Sequence, residues 1–252
     1  MTPWLTVGRR DPFRFDYTED EAKLVLAGYA FGERSLMWRG DSRAPHLQRR
    51  ATTQARWAYR AYDCHPSKTT QISIEDITIT AALDSRITSD VVLAVLAVAP
   101  DVSQRMTSAM AEPAFWNLTR KDLERHDPGS HAAMLWEAWM LLHGVVGADV
   151  AIPHKILHRK RPSYFPLLDG NTVLAYDRGR AWSGIWQDLN DHPDQFESLE
   201  CWFSKLPQTR SGVPLERLRI HDILLWAHLA SNQYDALLHA GAAVLRDNDS
   251  KG

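Results

Sequence analysis

Six ionisable side chains fall within the eight residues HKILHRKR: His154, Lys155, His158, Arg159, Lys160 and Arg161. Cations at that density suit the phosphates of a nucleic acid, and the run is a local feature, because the formal net charge of the chain is −2. His154 and His158 stand four apart, the spacing that puts two imidazoles on one helix face in zinc proteases. Here Lys-Ile-Leu fills the interval, with no glutamate base and no third ligand, so the histidines are read as phosphate contacts and no metal is expected. Upstream, Gly144 and Gly147 bound a tight turn where backbone amides can approach an anion closely. Downstream stands the carboxylate of Asp169, followed by Gly-Asn-Thr, which is also ordinary helix-start chemistry.

A second basic cluster lies between Glu33 and Arg60. It holds Arg34, Arg39, Arg43, Arg49, Arg50, Arg56 and Arg60, against only Glu33 and Asp41. The two cysteines, Cys64 and Cys201, are too few for a disulfide framework, a four-cysteine zinc site or an iron–sulfur cluster. Glycine loops of the Walker or dinucleotide-binding type are absent, and no cofactor is expected. Of the aromatic residues, Trp136, Trp139, Trp186, Trp202 and Trp226 follow helical apolar patterns and read as core. Trp38, Trp57, Tyr62, Tyr164 and Phe165 lie beside arginines or in turns and are the candidates for stacking on, or wedging beside, a base.

The elements that must position these groups are helical. TEDEAKLVLAGYA opens with Thr18 and Glu21 in capping-box spacing, and SIEDITITAALDS and ITSDVVLAVLAVA offer Ser73 and Ser89 as caps. SHAAMLWEAWMLLHGVVG, NTVLAYDRGRAWSGIWQDL, DQFESLECWFSKL and LRIHDILLWAHLA continue the near-3.6 spacing, the later ones separated by Pro193, Pro207 and Pro214. Sustained two-residue alternation is missing, so the fold class is all-α: a two-lobed helical bundle in one compact domain over residues 1–252. The turn chemistry of Asp127-Pro128-Gly129 puts a soft lobe boundary near 124–130. Pro153 belongs in the first turn of the basic helix, which then starts between Asp149 and Ile152 with Asp149 as its cap. Apolar residues at 44% and charged residues at 24% exclude a disordered or fibrous chain. An apolar run of membrane-spanning length and the apolar centre of a signal peptide are both missing, so a cytoplasmic protein without a membrane partner is expected.

From about Leu142 to Val173, the order of helix, glycine turn, basic helix and proline-preceded aspartate resembles the core of helix-hairpin-helix DNA glycosylases, with the element itself over 134–161. KILHRKRP followed by PLLD, or KxLHRKRPxxxPxxD, also resembles a group of bacterial proteins of unknown function, which brings no activity with it. The first resemblance implies a monofunctional DNA glycosylase that acts as a monomer on double-stranded DNA. Such an enzyme flips out a modified or damaged base, in repair or in defence against modified phage DNA, and hydrolyses its N-glycosidic bond to leave an abasic site. Asp169 would stabilise the oxocarbenium-like sugar, and Gly144, Gly147 and the cations from His154 to Arg161 would hold phosphates. Bifunctional members carry a nucleophilic lysine two residues after the second glycine; Asp149 stands there, so a Schiff-base lyase step is not expected. The alternative is a non-catalytic helix-hairpin-helix DNA-binding module in which Asp169 is only a cap.

Overall fold

The computed structural model describes residues 3–37, 52–65, 67, 69–83, 87–109, 113–124, 127–177, 179–207, 209, 212–230 and 233–249. The chain is mostly helical. Its α-helices are α1 (Glu19–Phe31), α2 (Ile74–Thr80), α3 (Ser89–Ser108), α4 (Arg120–Glu124), α5 (His131–His143), α6 (Ala151–Lys160), α7 (Ala181–Asp191), α8 (Pro193–Lys205), α9 (Arg217–Leu229) and α10 (Gln233–Asp249). Among the described residues, two antiparallel ribbons accompany them. In one, β1 (Leu5–Val7) pairs with β2 (Phe15–Tyr17), Leu5 opposite Tyr17; in the other, β3 (Glu33–Met37) pairs with β4 (Thr52–Arg56), Glu33 opposite Arg56. Strands this short carry too few residues for alternation to register, which is why the sequence showed no ribbon.

Helix starts follow side-chain chemistry. Thr18 and Glu21 form a capping box on α1, and Ser73 and Asp76 form one on α2. Thr88, not Ser89, caps α3, which continues through Pro100 to Ser108. Asp149 Oδ1 accepts the amide hydrogens of Ala151 at 2.9 Å and Ile152 at 3.3 Å, so α6 starts where Pro153 requires. NTVLAYDRGRAWSGIWQDL, expected as one helix, divides into a 3-10 turn (Thr172–Ala175) and α7. Gly179 between them takes φ 72°, a left-handed conformation that no α-helix can pass through.

One continuous core of buried side chains runs from Leu5 to Ala240. At one side α1 crosses α10 almost backbone to backbone: a Cβ on Gly28 would lie 2.1 Å from the Leu237 carbonyl oxygen, and one on Gly241 2.0 Å from that of Leu24. Elsewhere α3 packs on α5, and α6 packs on both α5 and α2. Every residue of α6 is buried, its charged residues included. Asp188 fastens the N-terminal ribbon to the helices, accepting from the Gly8 amide at 2.9 Å, the Tyr176 hydroxyl at 2.8 Å and His221 Nε2 at 3.0 Å, and pairing with Arg9.

Candidate active-site cleft

The basic helix faces inward. Arg159 Nε donates to Asp76 Oδ1 at 2.8 Å, and its Nη2 reaches Glu75 at 3.3 Å. Lys160 Nζ contacts Asp76 Oδ2 at 2.6 Å, Ser67 Oγ at 2.7 Å and the Gln71 carbonyl at 2.5 Å. Lys155 Nζ donates to the Leu83 carbonyl at 2.6 Å, and the half-buried Arg161 donates to the Met106 carbonyl at 3.1 Å. His154 Nδ1 bonds the Val150 carbonyl at 2.7 Å while its Nε2 accepts from the Trp182 indole at 3.0 Å; His158 Nδ1 bonds the Phe165 carbonyl at 2.6 Å. Burial lowers the pKa of His154 to about 4 and that of His158 to about 3, which leaves both imidazoles neutral near pH 7.

The reading of His154, Lys155, His158, Arg159, Lys160 and Arg161 as an exposed phosphate-binding surface is therefore corrected. The lysines and arginines find acceptors in the segment 67–83 and in α3, distant in sequence and invisible to a local count of charge. Of the proposed phosphate contacts, Gly144 and Gly147 are at the surface, in a turn where Val146 is 91% exposed. Gly147 takes φ 84°, whereas Gly144 has an ordinary helical backbone.

A cleft of about 800 Å³ opens between the loop 167–171, the start of α6 and the inward face of α9. It gathers Trp57, Asp149, Lys155, Asp169, Arg219 and Asp222, and Tyr29 and Trp226 add aromatic wall. Asp169 Oδ1 accepts the amide hydrogens of Asn171 and Thr172, both at 2.8 Å, so this carboxylate does cap the 3-10 turn. The cap leaves Oδ2 without a hydrogen bond to any described residue. Burial lowers the pKa of the Lys155 ammonium, and the carboxylates of Asp169, Asp222 and Asp149 oppose that shift.

Arg219 organises the opposite wall. Its Nε donates to Asp63 Oδ1 at 2.7 Å, its remaining nitrogens reach the Tyr29 hydroxyl and Asp222 Oδ2, and its charge lies over the rings of Tyr29 and Tyr62 at 5.1 and 5.7 Å. Burial pushes the Asp222 carboxyl up to about 6, with Arg219 opposing and Asp169 reinforcing the shift. The cleft thus combines two carboxylates held by backbone amides, Asp149 and Asp169, a carboxyl that holds its proton into the mildly acidic range, two cations and aromatic faces. That set can hold a flat polar ring and stabilise positive charge beside it.

Of the five aromatic candidates, Trp57 is at the cleft, its indole donating to Gln233 Oε1 at 3.0 Å. Tyr62 is buried behind it, donating to the Lys155 carbonyl at 2.6 Å and stacking on His158. Tyr164 and Phe165 are core residues, Phe165 packing on Trp182, so the turn they follow buries them instead of presenting them to a base. Trp38 lies outside the described residues. Sequence reading passed over Arg219, Asp222 and Tyr29 and assigned Trp226 to the core. A usable signal was present in LRIHDILLWAHLA, where Arg219, His221 and Asp222 interrupt an otherwise apolar helix.

A family model described as "Family of unknown function (DUF6308)" matches residues 44–229. The chain belongs to this family. The DUF6308 span begins in the connection between β3 and β4 and ends with α9, so it includes every cleft residue named above except Tyr29 and Gln233, while α1 and α10 lie outside it. Comparison with curated proteins and with solved structures returns no match. Among the described residues of this DUF6308 member, no helix is long and apolar enough to cross a membrane, and no group of three or more His, Cys, Asp or Glu could hold a metal ion.

Proposed function

We propose that this DUF6308 protein is a monofunctional DNA N-glycosylase, which takes a modified base out of double-stranded DNA into the cleft and hydrolyses its bond to the sugar. The reading rests on Asp169. Two backbone amides hold one of its carboxylate oxygens and leave the other without a hydrogen bond to a described residue, on a cleft with tryptophan and tyrosine in its walls. An extruded base needs aromatic faces to replace the stack it has left. As the bond from C1′ to the base nitrogen lengthens, positive charge grows on the sugar, and a fixed carboxylate beneath it stabilises that charge and orients the incoming water. Capping and catalysis are compatible here, because the cap immobilises the group the transition state requires.

With the basic helix turned inward, phosphate contacts are assigned to other groups. The arginine-rich stretch from Arg34 to Arg60 takes in β3 and β4, and Trp57 within it is at the cleft wall. The surface turn from Gly144 to Gly147 is the second candidate. The rival reading, a module that only binds DNA, shares these contacts and differs in giving Asp169 no role beyond the cap.

Incubating the protein with duplexes that carry alkylated, oxidised, deaminated or phage-type modified bases, followed by mass analysis of what is released, tests the proposal. Free base and an alkali-labile abasic site are expected. Asp169→Asn should keep the fold and the DNA affinity, since asparagine also caps helices, and lose about a hundredfold in release rate. Tight duplex binding with no base released from any duplex would favour the non-catalytic module.

A further inference from the structure

Asp222 lines the same cleft as Asp169 and feels its charge, yet the hydrolysis outlined above gives it no task. Its side chain is 12% exposed, and its Oδ2 is held by Arg219. Its Oδ1 makes no hydrogen bond to a described residue. Charged and titratable groups act on it from several elements: Arg219 and His221 on α9, Lys155 on α6 and Asp169 on the loop before the 3-10 turn. Tyr29 of α1 and Asp63, with Tyr62, of the helical turn before α2 approach through Arg219. Two carboxyl groups in one cleft are thus given different surroundings: Asp169 by two backbone amides, Asp222 by burial with one cation shared between it and Asp63. Environments that separate two carboxyls in this way divide them into a base and an acid.

Resting on the N-glycosylase reading, we propose that Asp222 is the acid that protonates the departing base. In the step, the electron pair of the bond between C1′ and nitrogen leaves with the base, and the Asp222 carboxyl hydrogen moves to an acceptor nitrogen or oxygen of that base. Asp222 becomes a carboxylate held by Arg219. Water adds its oxygen to C1′ and gives its proton to Asp169, from which it passes to solvent, while Asp222 regains a proton from solvent. Base, sugar hydroxyl and protons balance, and no further reactant is needed. Burial that holds the Asp222 carboxyl up to about 6 keeps a usable fraction protonated near neutral pH.

The test compares Asp222→Asn with the parent on two duplexes, one carrying a neutral lesion such as uracil or hypoxanthine, the other N7-methylguanine, which already bears a positive ring and departs without a proton. The neutral base should be released about a hundredfold more slowly by Asp222→Asn, and the methylated base no more than about fivefold more slowly. The parent's rate on the neutral base should fall as pH rises above about 6, and that limb should vanish in the variant. A merely structural role would slow both substrates alike and would overturn the proposal. Carboxyl carbon NMR gives a readout independent of any lesion: a resonance missing from Asp222→Asn should titrate near pH 6 in the parent, and a midpoint near 4 would also overturn it. Release of neither base by the parent would instead overturn the N-glycosylase reading, and the proton donor with it.

Discussion

Asp76 and Arg159 form an ion pair at 2.8 Å, with 2% and 5% of their side chains exposed, between α2 and the last turn of α6. The same carboxylate takes Lys160 at 2.6 Å, so one buried anion serves two buried cations, and the exposed Glu75 adds a longer contact to Arg159 at 3.3 Å. Against the upward push of burial, hydrogen bonds from Lys160 and Arg159 hold the Asp76 carboxyl below its usual range.

Removing that anion should be costly. Asp76→Asn keeps the shape but leaves Lys160 buried without its carboxylate and Arg159 with only the exposed Glu75, and the expected loss is about 3–5 kcal/mol, read as a shift in the urea unfolding midpoint. A change below about 1 kcal/mol would mean the cations reach water in the folded state.

Acid should destabilise the protein before ordinary carboxylates titrate. In the unfolded chain each histidine takes up a proton near pH 6.5, whereas burial holds His154 at about 4 and His158 at about 3. The unfolded state therefore binds more protons below about 6.5, and stability falls with pH by up to roughly 1.4 kcal/mol per unit for each histidine. Asp222 acts in the opposite direction, since its raised carboxyl contributes stability below its unfolded value that is lost as pH rises through about 6. Two histidines outweigh one carboxyl, so the unfolding midpoint should be lower at pH 5 than at pH 7, and Asp222→Asn should steepen the difference. Equal midpoints at the two pH values would contradict the neutral-histidine assignment.

The crossing of α1 and α10 should tolerate no side chain at its centre. Gly28→Ala places a methyl group against the Leu237 carbonyl and should cost about 1–3 kcal/mol, whereas Gly170→Ala, with nothing within 4 Å of the added carbon, should change stability little. Thermal denaturation of the two variants side by side checks this, and equal melting temperatures would refute the close approach.

Duplex binding should depend on the arginines that precede Trp57. Changing Arg39, Arg43, Arg49 and Arg50 together to glutamine should weaken binding similarly on all sequences and lower the slope of log affinity against log salt by about 3–4, if each meets a phosphate. Binding titrations at several salt concentrations decide it; an unchanged slope would remove this stretch from the interface.

The helical class, the capping boxes at Thr18 and Ser73, the start of α6 and the capping role of Asp149 and Asp169 were all legible, because each depends on neighbours within four residues. The fate of the basic helix was not. HKILHRKR has the composition of a solvated face, and it is buried because Asp76, Gln71 and Leu83 approach it from a segment more than seventy residues earlier. Asp222 was missed for a related reason. A single aspartate in an apolar helix has no spacing partner, and its significance emerges only when the fold brings it to the same cleft as Asp169.

The acceptors of the α6 cations share a further property. Ser67, Gln71, Glu75, Asp76, Leu83 and Met106 all precede the helix in the chain. On a ribosome, where the N-terminal part emerges first, the counter-charges and carbonyls for Lys155, Arg159, Lys160 and Arg161 are already outside when those residues appear. The most cationic of the described helices can therefore find its partners as it is made, which shortens the time it spends uncovered among polyanions such as ribosomal RNA. A circular permutant that begins within the Asp127-Pro128-Gly129 turn would reverse that order, so that the cations are made before anything exists to receive them.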